Sequence, residues 1–141
     1  MDDLVINKAA TIERCLRRVH AVFEDDDRNI YVDQTRQDSI VLNLQRACET
    51  AIDLAMHLVR RGRLGVPQES RDAFELLAND GALPRELADR LKSMVGFRNV
   101  AVHDYKALNL DIVRSIVRDR LGDLAAFAEW ALKTTRAADP R

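Results

Sequence analysis

The stretch that decides the fold is IVLNLQRACETAIDLAMHLV, residues 40–59, near the middle of the chain. Its principal apolar residues recur at three- and four-residue steps, the period of an amphipathic α-helix. Three further apolar residues, Leu42, Leu54 and Met56, lie outside that stripe. A helix that is apolar on more than one side is either central in a bundle or part of a subunit interface. The stretch therefore predicts a long helix over about 33–61, with either of these two positions in the fold.

Four more helices are predicted around this one, because helix formers dominate and only three Pro and five Gly interrupt the chain. They are expected over about 2–24, after Ser70, from Pro84 through Val102, and from Asn109 to about Thr134. The fold class is therefore all-α, an antiparallel bundle of four long helices plus one short helix. Residues 1–136 are expected to form a single domain, and residues 137–141 a frayed tail.

Composition limits the function classes. The 22 basic and 23 acidic residues give a net charge of −1, so any nucleic-acid binding must come from a local basic patch. The N-terminus lacks a signal-peptide apolar core, and no window of about 18 residues is apolar enough to span a bilayer. We expect a soluble cytoplasmic protein without membrane contact. Its two cysteines, Cys15 and Cys48, should be buried reduced thiols.

One face of the central helix is polar. Arg46, Glu49 and Asp53 lie at helical neighbour spacing. They have two interpretations, a row of stabilising ion pairs or the polar wall of a cleft.

Arg98 lies where the pattern of its helix predicts an apolar residue. It lies only about 20° from Leu91, the centre of the apolar stripe, at 100° per residue. A guanidinium cannot lose its proton, so this position is costly unless an anion meets it. The anion is either a carboxylate such as Asp53 or Glu49, in an internal ion pair, or a phosphate bound in a cleft.

His103 follows Arg98 by five residues, which turns it about 140° away on the same helix. Asn99, four residues before His103, shares its side and is expected to support it. One regular helix cannot aim Arg98 and His103 squarely at one atom. Either the helix ends or distorts near Val102, or two copies of the segment face each other. The second solution predicts a symmetric homodimer with a composite site.

An arginine and a histidine without metal ligands suit phosphodiester transfer in RNA. The 2′-hydroxyl is the nucleophile, and the imidazole takes its proton or protonates the leaving 5′-oxygen. The arginine stabilises charge on the phosphoryl oxygens. Neither a metal nor a cofactor is expected, because no His or carboxylate pair has ligand spacing. The predicted catalytic residues are therefore Arg98 and His103.

The segment 98–105, RNVAVHDY, resembles the signature of the HEPN superfamily and, within it, of the HepT-type toxins. That signature is an Arg, a polar residue, three residues, a His, one residue and a Tyr. The flanking stretches 66–74 and 94–97 are also similar, and the likeness extends from the second helix to the fifth.

This resemblance implies a homodimeric, metal-independent ribonuclease toxin that acts on RNA. It also implies an antitoxin of the minimal nucleotidyltransferase class, which forms a hetero-oligomer with the toxin. Such a partner can transfer AMP from ATP to the motif tyrosine, here Tyr105. A bulky nucleotide beside Arg98 and His103 would then block an RNA phosphate.

Two alternatives remain open from the sequence. One is a non-catalytic HEPN module that binds a nucleotide or a nucleotidyltransferase partner. The other is a dimeric helical adaptor in which an internal ion pair neutralises Arg98.

Overall fold

The computed structural model describes residues 2–138, and within this range every regular element is helical. The elements are α1 (Asp3–Phe23), α2 (Arg28–Tyr31), α3 (Gln34–Gly62), α4 (Ser70–Asn79), α5 (Arg85–His103), a 3₁₀ turn (Tyr105–Ala107), α6 (Leu110–Asp119) and α7 (Leu121–Ala138). The predicted all-α class is confirmed.

The central helix is α3, which contacts α1, α2, α4, α5 and α7. Thr50 and Ile52 are both buried, and at 100° per residue they lie about 160° apart on this helix, so burial extends to more than one side of α3. Of the three apolar residues outside the predicted stripe, Leu54 is fully buried, Met56 is partly buried and Leu42 remains 42% exposed.

Polar caps tie α1 to α3 in an antiparallel pair. Asp2 caps α1 by accepting from the backbone N–H groups of Leu4 and Val5. Its carboxylate also binds His57 Nε2 at 2.6 Å and Arg61 at 3.0 Å. Both residues lie near the C-terminal end of α3, so the start of α1 contacts the end of α3. The His57 hydrogen bond is the main reason that the pKa of Asp2 is lowered.

Two connections differ from the predicted pattern. The link before α3 contains the extra four-residue helix α2. The predicted fifth helix is two helices, α6 and α7, which meet at Arg120. The apolar spacing continues through Val117, Leu121 and Leu124, so it does not reveal this break.

The predicted start of the frayed tail, at residue 137, lies within α7. α7 continues through Ala137 and Ala138, whereas residues 139–141 of the predicted tail lie outside the described residues. The domain boundary at residue 136 stays a prediction.

Both cysteines are free and buried, as predicted. None of the helices in residues 2–138 combines the length and the apolar character needed to cross a membrane.

Candidate functional site

The site forms where the end of α5 meets the first half of α3 and the start of α4. Met94 and Val95 of α5 pack beside Cys48 and Ile52 of α3. The turn after α5 then brings Tyr105 to Asp38, near the start of α3. The two helices are therefore antiparallel, and the segment 98–105 follows the first half of α3.

Arg98 is half-buried and has only a neutral partner. Its Nη2 donates to the Ser70 hydroxyl at 3.1 Å, and its Nε is buried without a hydrogen-bond partner in the described structure. Within residues 2–138, no carboxylate oxygen lies within 4.0 Å of this guanidinium. The predicted partners are engaged elsewhere, since Asp53 pairs with Lys8 at 3.6 Å and Glu49 accepts from Gln45 at 3.3 Å. The internal ion pair is therefore wrong, and Arg98 keeps its capacity to bind an anion.

The helix expected after Ser70 begins at Ser70 itself, and its cap is Glu69. The Asp72 carboxylate accepts from the backbone N–H groups of Gln68 and Glu69, which starts the helix one residue earlier. The Ser70 hydroxyl is then available to Arg98.

The predicted apolar stripe of α5 is wrong at Val102, of which 43% is exposed. Ala101 is buried instead. α4 begins at Ser70, which contacts Arg98, so α4 does not cover the turn of α5 that follows Arg98 and contains Val102. Arg98 thus lies at the border between the core and the surface, and its long side chain can extend from the core towards solvent.

His103 is the last residue of α5 and is exposed. α5 is regular from Arg85 to His103 and ends there, one residue beyond Val102, so the helix ends near Val102 as one of the two solutions required, but without a distortion between Arg98 and His103. The angular separation of about 140° between Arg98 and His103 is therefore retained within one copy. Asn99 is half-buried one turn before His103.

Tyr105 is held by Asp38, a residue that sequence reasoning did not identify. The Tyr105 hydroxyl donates to Asp38 Oδ1 at 2.6 Å, and the same oxygen accepts from Gln34 at 2.8 Å. Burial and this hydrogen bond raise the pKa of Tyr105 to about 12. The tyrosine is still 40% exposed, so a reagent can reach its hydroxyl.

Two of the three residues of the predicted polar wall face α1. Arg46 lines a groove with Arg14 and Arg18 of α1, and Asp53 pairs with Lys8 of α1. The third, Glu49, accepts a hydrogen bond from Gln45 on its own helix. Arg46 and Asp53 therefore belong to a polar surface that α3 shares with α1.

The outward face of α5 is suited to contact with a second helix. Ser93, Gly96, Val100 and His103 follow at steps of three and four residues, so they share this face. Small residues let another backbone approach closely. Val100 also borders a groove of about 530 Å³ between α5 and α6, where Ile112 is 50% exposed.

Metal-ligand geometry does not occur in the described part of the chain. In residues 2–138, no three His, Cys, Asp or Glu side chains are grouped so as to hold a metal ion. The thiol nearest to Arg98 is also unsuited to chemistry, since burial raises the pKa of Cys48 to about 12.

Known proteins resemble this chain over most of its length. A family described as ribonuclease HepT-like matches residues 12–130, which include the segment 98–105. The chain is 50% identical over 129 residues to the mRNA nuclease HepT of Shewanella oneidensis, covering 92% of this chain and 96% of that protein.

Two solved structures are similar over nearly the whole chain. One is the tri-AMPylated HEPN toxin of Shewanella oneidensis in complex with MNT antitoxin, with a TM-score of 0.88 and 49% identity, covering 95% of this chain and 99% of that chain. The other is a toxin–antitoxin complex with AMP-PNP, with a TM-score of 0.88 and 48% identity, covering 94% of this chain and 99% of that chain.

Proposed function

Because this chain belongs to the HepT-like ribonuclease family, we propose that Arg98 and His103 cleave RNA at a site shared between two copies. The chain is a ribonuclease and the toxin component of a toxin–antitoxin pair. The observation that carries the proposed site is the cation of Arg98. This guanidinium is half-buried, and in the described part of the chain it bonds only to Ser70, which leaves it able to bind a phosphate.

Cleavage uses the 2′-hydroxyl of RNA as its nucleophile. Its oxygen attacks the adjacent phosphorus, the bond to the 5′-oxygen breaks, and the products are a 2′,3′-cyclic phosphate and a free 5′-hydroxyl. Neutral His103 removes the 2′-proton, or protonated His103 donates to the leaving 5′-oxygen. Arg98 stabilises the charge that develops on the phosphoryl oxygens. The reaction needs no metal, because the side chains provide both proton transfer and charge stabilisation.

The site is composite, because α5 is regular through His103. Arg98 of one copy acts with His103 of the other, and a twofold dimer contains two such pairs. The second copy therefore packs against the exposed C-terminal end of α5, where His103 lies.

The first experiment measures cleavage of RNA by the purified protein in EDTA. His103→Ala should lower the rate by about 10²–10⁴-fold while the fold and the dimer are retained, since general acid–base catalysis contributes that much. Full activity of His103→Ala would remove the residue from the mechanism. RNA that stays intact with the wild type, while antitoxin binding persists, would identify a non-catalytic module.

The second experiment tests the composite site by complementation. Arg98→Ala and His103→Ala are each inactive, but a mixed dimer keeps one Arg98 and one His103 on different copies. Mixed dimers isolated through two affinity tags should have about half of the wild-type rate, because one of their two sites is intact, and the unsorted mixture should have about a quarter if dimers assort at random. Mixed dimers that remain inactive would instead place the working pair within one chain.

The partner is an antitoxin of the nucleotidyltransferase class, and Tyr105 is the residue that it modifies. The Tyr105 oxygen attacks the α-phosphorus of ATP, the bond to the β-phosphate bridge breaks, and pyrophosphate leaves. Asp38 accepts the phenolic proton, because its Oδ1 already holds that hydroxyl at 2.6 Å. The added AMP places negative charge and volume beside Arg98, which blocks RNA.

The modification is tested by the intact mass of toxin incubated with its partner and ATP. Wild-type toxin should gain whole AMP units, and Tyr105→Phe should gain none. Modification of Tyr105→Phe would place the acceptor at another residue. We propose that these reactions occur in the cytoplasm, where RNA and ATP are both available.

A further inference from the structure

A second group of arginines lies in a groove between α1 and α3. The groove has a volume of about 610 Å³. Its polar lining consists of Arg14, Arg18 and Arg46 with the neutral residues Thr11, Ser39 and Asn43. All three arginines are exposed, so their guanidinium groups can reach a ligand in the groove.

The positive charge of this groove is not neutralised locally. Among residues 2–138, none of these three arginines has a carboxylate oxygen within 4.0 Å. Arg14 bonds only to the Thr11 hydroxyl, at 3.5 Å. Arg14 and Arg46 both act to lower the pKa of Cys15 against the larger effect of burial, so their charges converge on one point. In a chain of net charge −1, three such neighbouring cations form a distinct basic surface.

The groove adjoins the proposed catalytic segment. Ser39 lines the groove, and the preceding residue, Asp38, binds Tyr105. Arg46 lies eight residues further along α3, or about 12 Å at 1.5 Å per residue. That distance is the length of a few nucleotides, at about 3.4 Å per phosphate along a strand. One bound strand can therefore reach both the groove and Tyr105.

We propose that this groove binds the phosphodiester backbone of single-stranded RNA and guides it to Arg98 and His103, an inference that rests on the proposed ribonuclease activity. Arginines bind the phosphates, and the hydroxyl and amide groups of the lining hydrogen-bond to phosphate and sugar oxygens. No aromatic side chain lines the groove in the described structure, so bases cannot stack there. Binding in the groove is therefore insensitive to base sequence.

The test compares two triple variants that lose the same charge. The groove variant is Arg14→Gln, Arg18→Gln and Arg46→Gln. The control variant is Arg60→Gln, Arg63→Gln and Arg136→Gln, which removes exposed arginines near the other end of α3. Both are made in the His103→Ala background, so that a labelled single-stranded RNA binds without being cut. Unchanged melting temperatures confirm that both variants are folded.

Salt dependence gives the expected size of the effect. A single strand loses about 0.7 units of log K per phosphate contact for each tenfold rise in salt, so the slope should decrease by about 2. At 0.1 M salt this corresponds to RNA binding weaker by about 100-fold relative to the parent protein. The control variant should change binding by only a few-fold. With His103 restored, the groove variant should raise KM and leave kcat unchanged.

Three results would overturn the proposal. Equal weakening in both triple variants would show that only total charge matters. Unchanged RNA binding by the groove variant would exclude the groove directly. Unchanged RNA binding with loss of the antitoxin complex would identify the groove as a protein interface. If the wild type does not cut RNA at all, the proposed activity fails independently of these binding measurements.

Discussion

Arg98 is half-buried and Arg118 is exposed, yet the more exposed arginine has the stronger partners. Arg118 binds Asp25 at 2.8 Å and Asp27 at 2.7 Å, and its guanidinium lies 4.9 Å from the centre of the Phe23 ring. Within residues 2–138, Arg98 has a single neutral hydrogen bond, to Ser70. The chain thus satisfies one cation completely and leaves the other able to bind a ligand. Burial of an arginine does not reveal its role, whereas its partners do.

The two tyrosines have the same kind of partner but lie in different parts of the molecule. Tyr31 donates to Asp111, which joins α2 to α6, and Tyr105 donates to Asp38, which holds the end of the signature segment. Both hydrogen bonds raise the pKa of their tyrosine. Only Tyr105 lies beside the proposed catalytic residues, so only its aspartate is expected to affect chemistry.

The largest expected effect is on cleavage. Arg98→Met keeps the length of the side chain but removes the charge that stabilises the phosphoryl oxygens. RNA cleavage should decrease by about 10²–10³-fold, the usual loss when one such contact is removed. Arg118→Met should leave the rate unchanged, since its charge is used by Asp25 and Asp27. If both variants, measured with the same RNA, lost rate equally, the absence of a carboxylate partner at Arg98 would not be what makes this arginine important for cleavage.

The next effect is on modification. Asp38→Asn keeps a hydrogen-bond acceptor for Tyr105 but cannot take its proton. AMP transfer by the antitoxin should be slower by about 10²-fold, as measured by intact mass over time. Asp111→Asn is the matched control and should be modified at the wild-type rate. Normal transfer to Asp38→Asn would restrict Asp38 to a structural role.

A smaller effect concerns the titration of Tyr105. The neutral phenol donates to Asp38, so this contact stabilises the fold below the unfolded pKa of about 10 and is lost as pH rises through about 12. In a Tyr31→Phe background, phenolate absorbance should therefore show a midpoint near 12. Asp38→Asn should lower the pKa of Tyr105 only part of the way to 10, because burial is the larger cause. A midpoint of 10 in the parent protein would contradict the observed contact.

The smallest effect is on stability. Arg118→Met loses two carboxylate contacts and the contact with Phe23, so its melting temperature should fall by a few degrees. High salt should reduce that difference, because the pairs are partly exposed. Arg98→Met removes a cation with a buried, unbonded Nε, and its melting temperature should stay the same or rise. A strong destabilisation by Arg98→Met, seen by thermal unfolding, would indicate a partner for this arginine in the folded dimer.

Local spacing predicted much of this molecule. The apolar pattern of residues 40–59 predicted α3 to be central or at a subunit interface, and stepping 100° per residue placed Arg98 within the apolar stripe of α5. Spacing did not predict burial correctly where the neighbouring helix ends. Val102 has the correct period for burial but lies beyond the start of α4, which periodicity cannot show.

Contacts between distant residues were not predictable from a single sequence. Asp38 is 67 residues from Tyr105, and Ser70 is 28 residues from Arg98. Asp38 belongs to no motif, and the likeness of the stretch 66–74 gives Ser70 no role of its own. Each residue gains its role only when α3, α4 and α5 pack together. The break at Arg120 was missed for another reason, since the apolar spacing continues across it.

The unbroken helix α5 has a consequence for dosage. The regular geometry of α5 keeps Arg98 and His103 of one copy apart. If the site is shared between two copies, as proposed, a monomer is therefore inactive. Below the dissociation constant of the dimer, the amount of active toxin grows with the square of the toxin concentration. A tenfold lower toxin concentration would then give about a hundredfold less active dimer. Low basal expression would therefore be tolerated, whereas a rapid increase in toxin concentration would not.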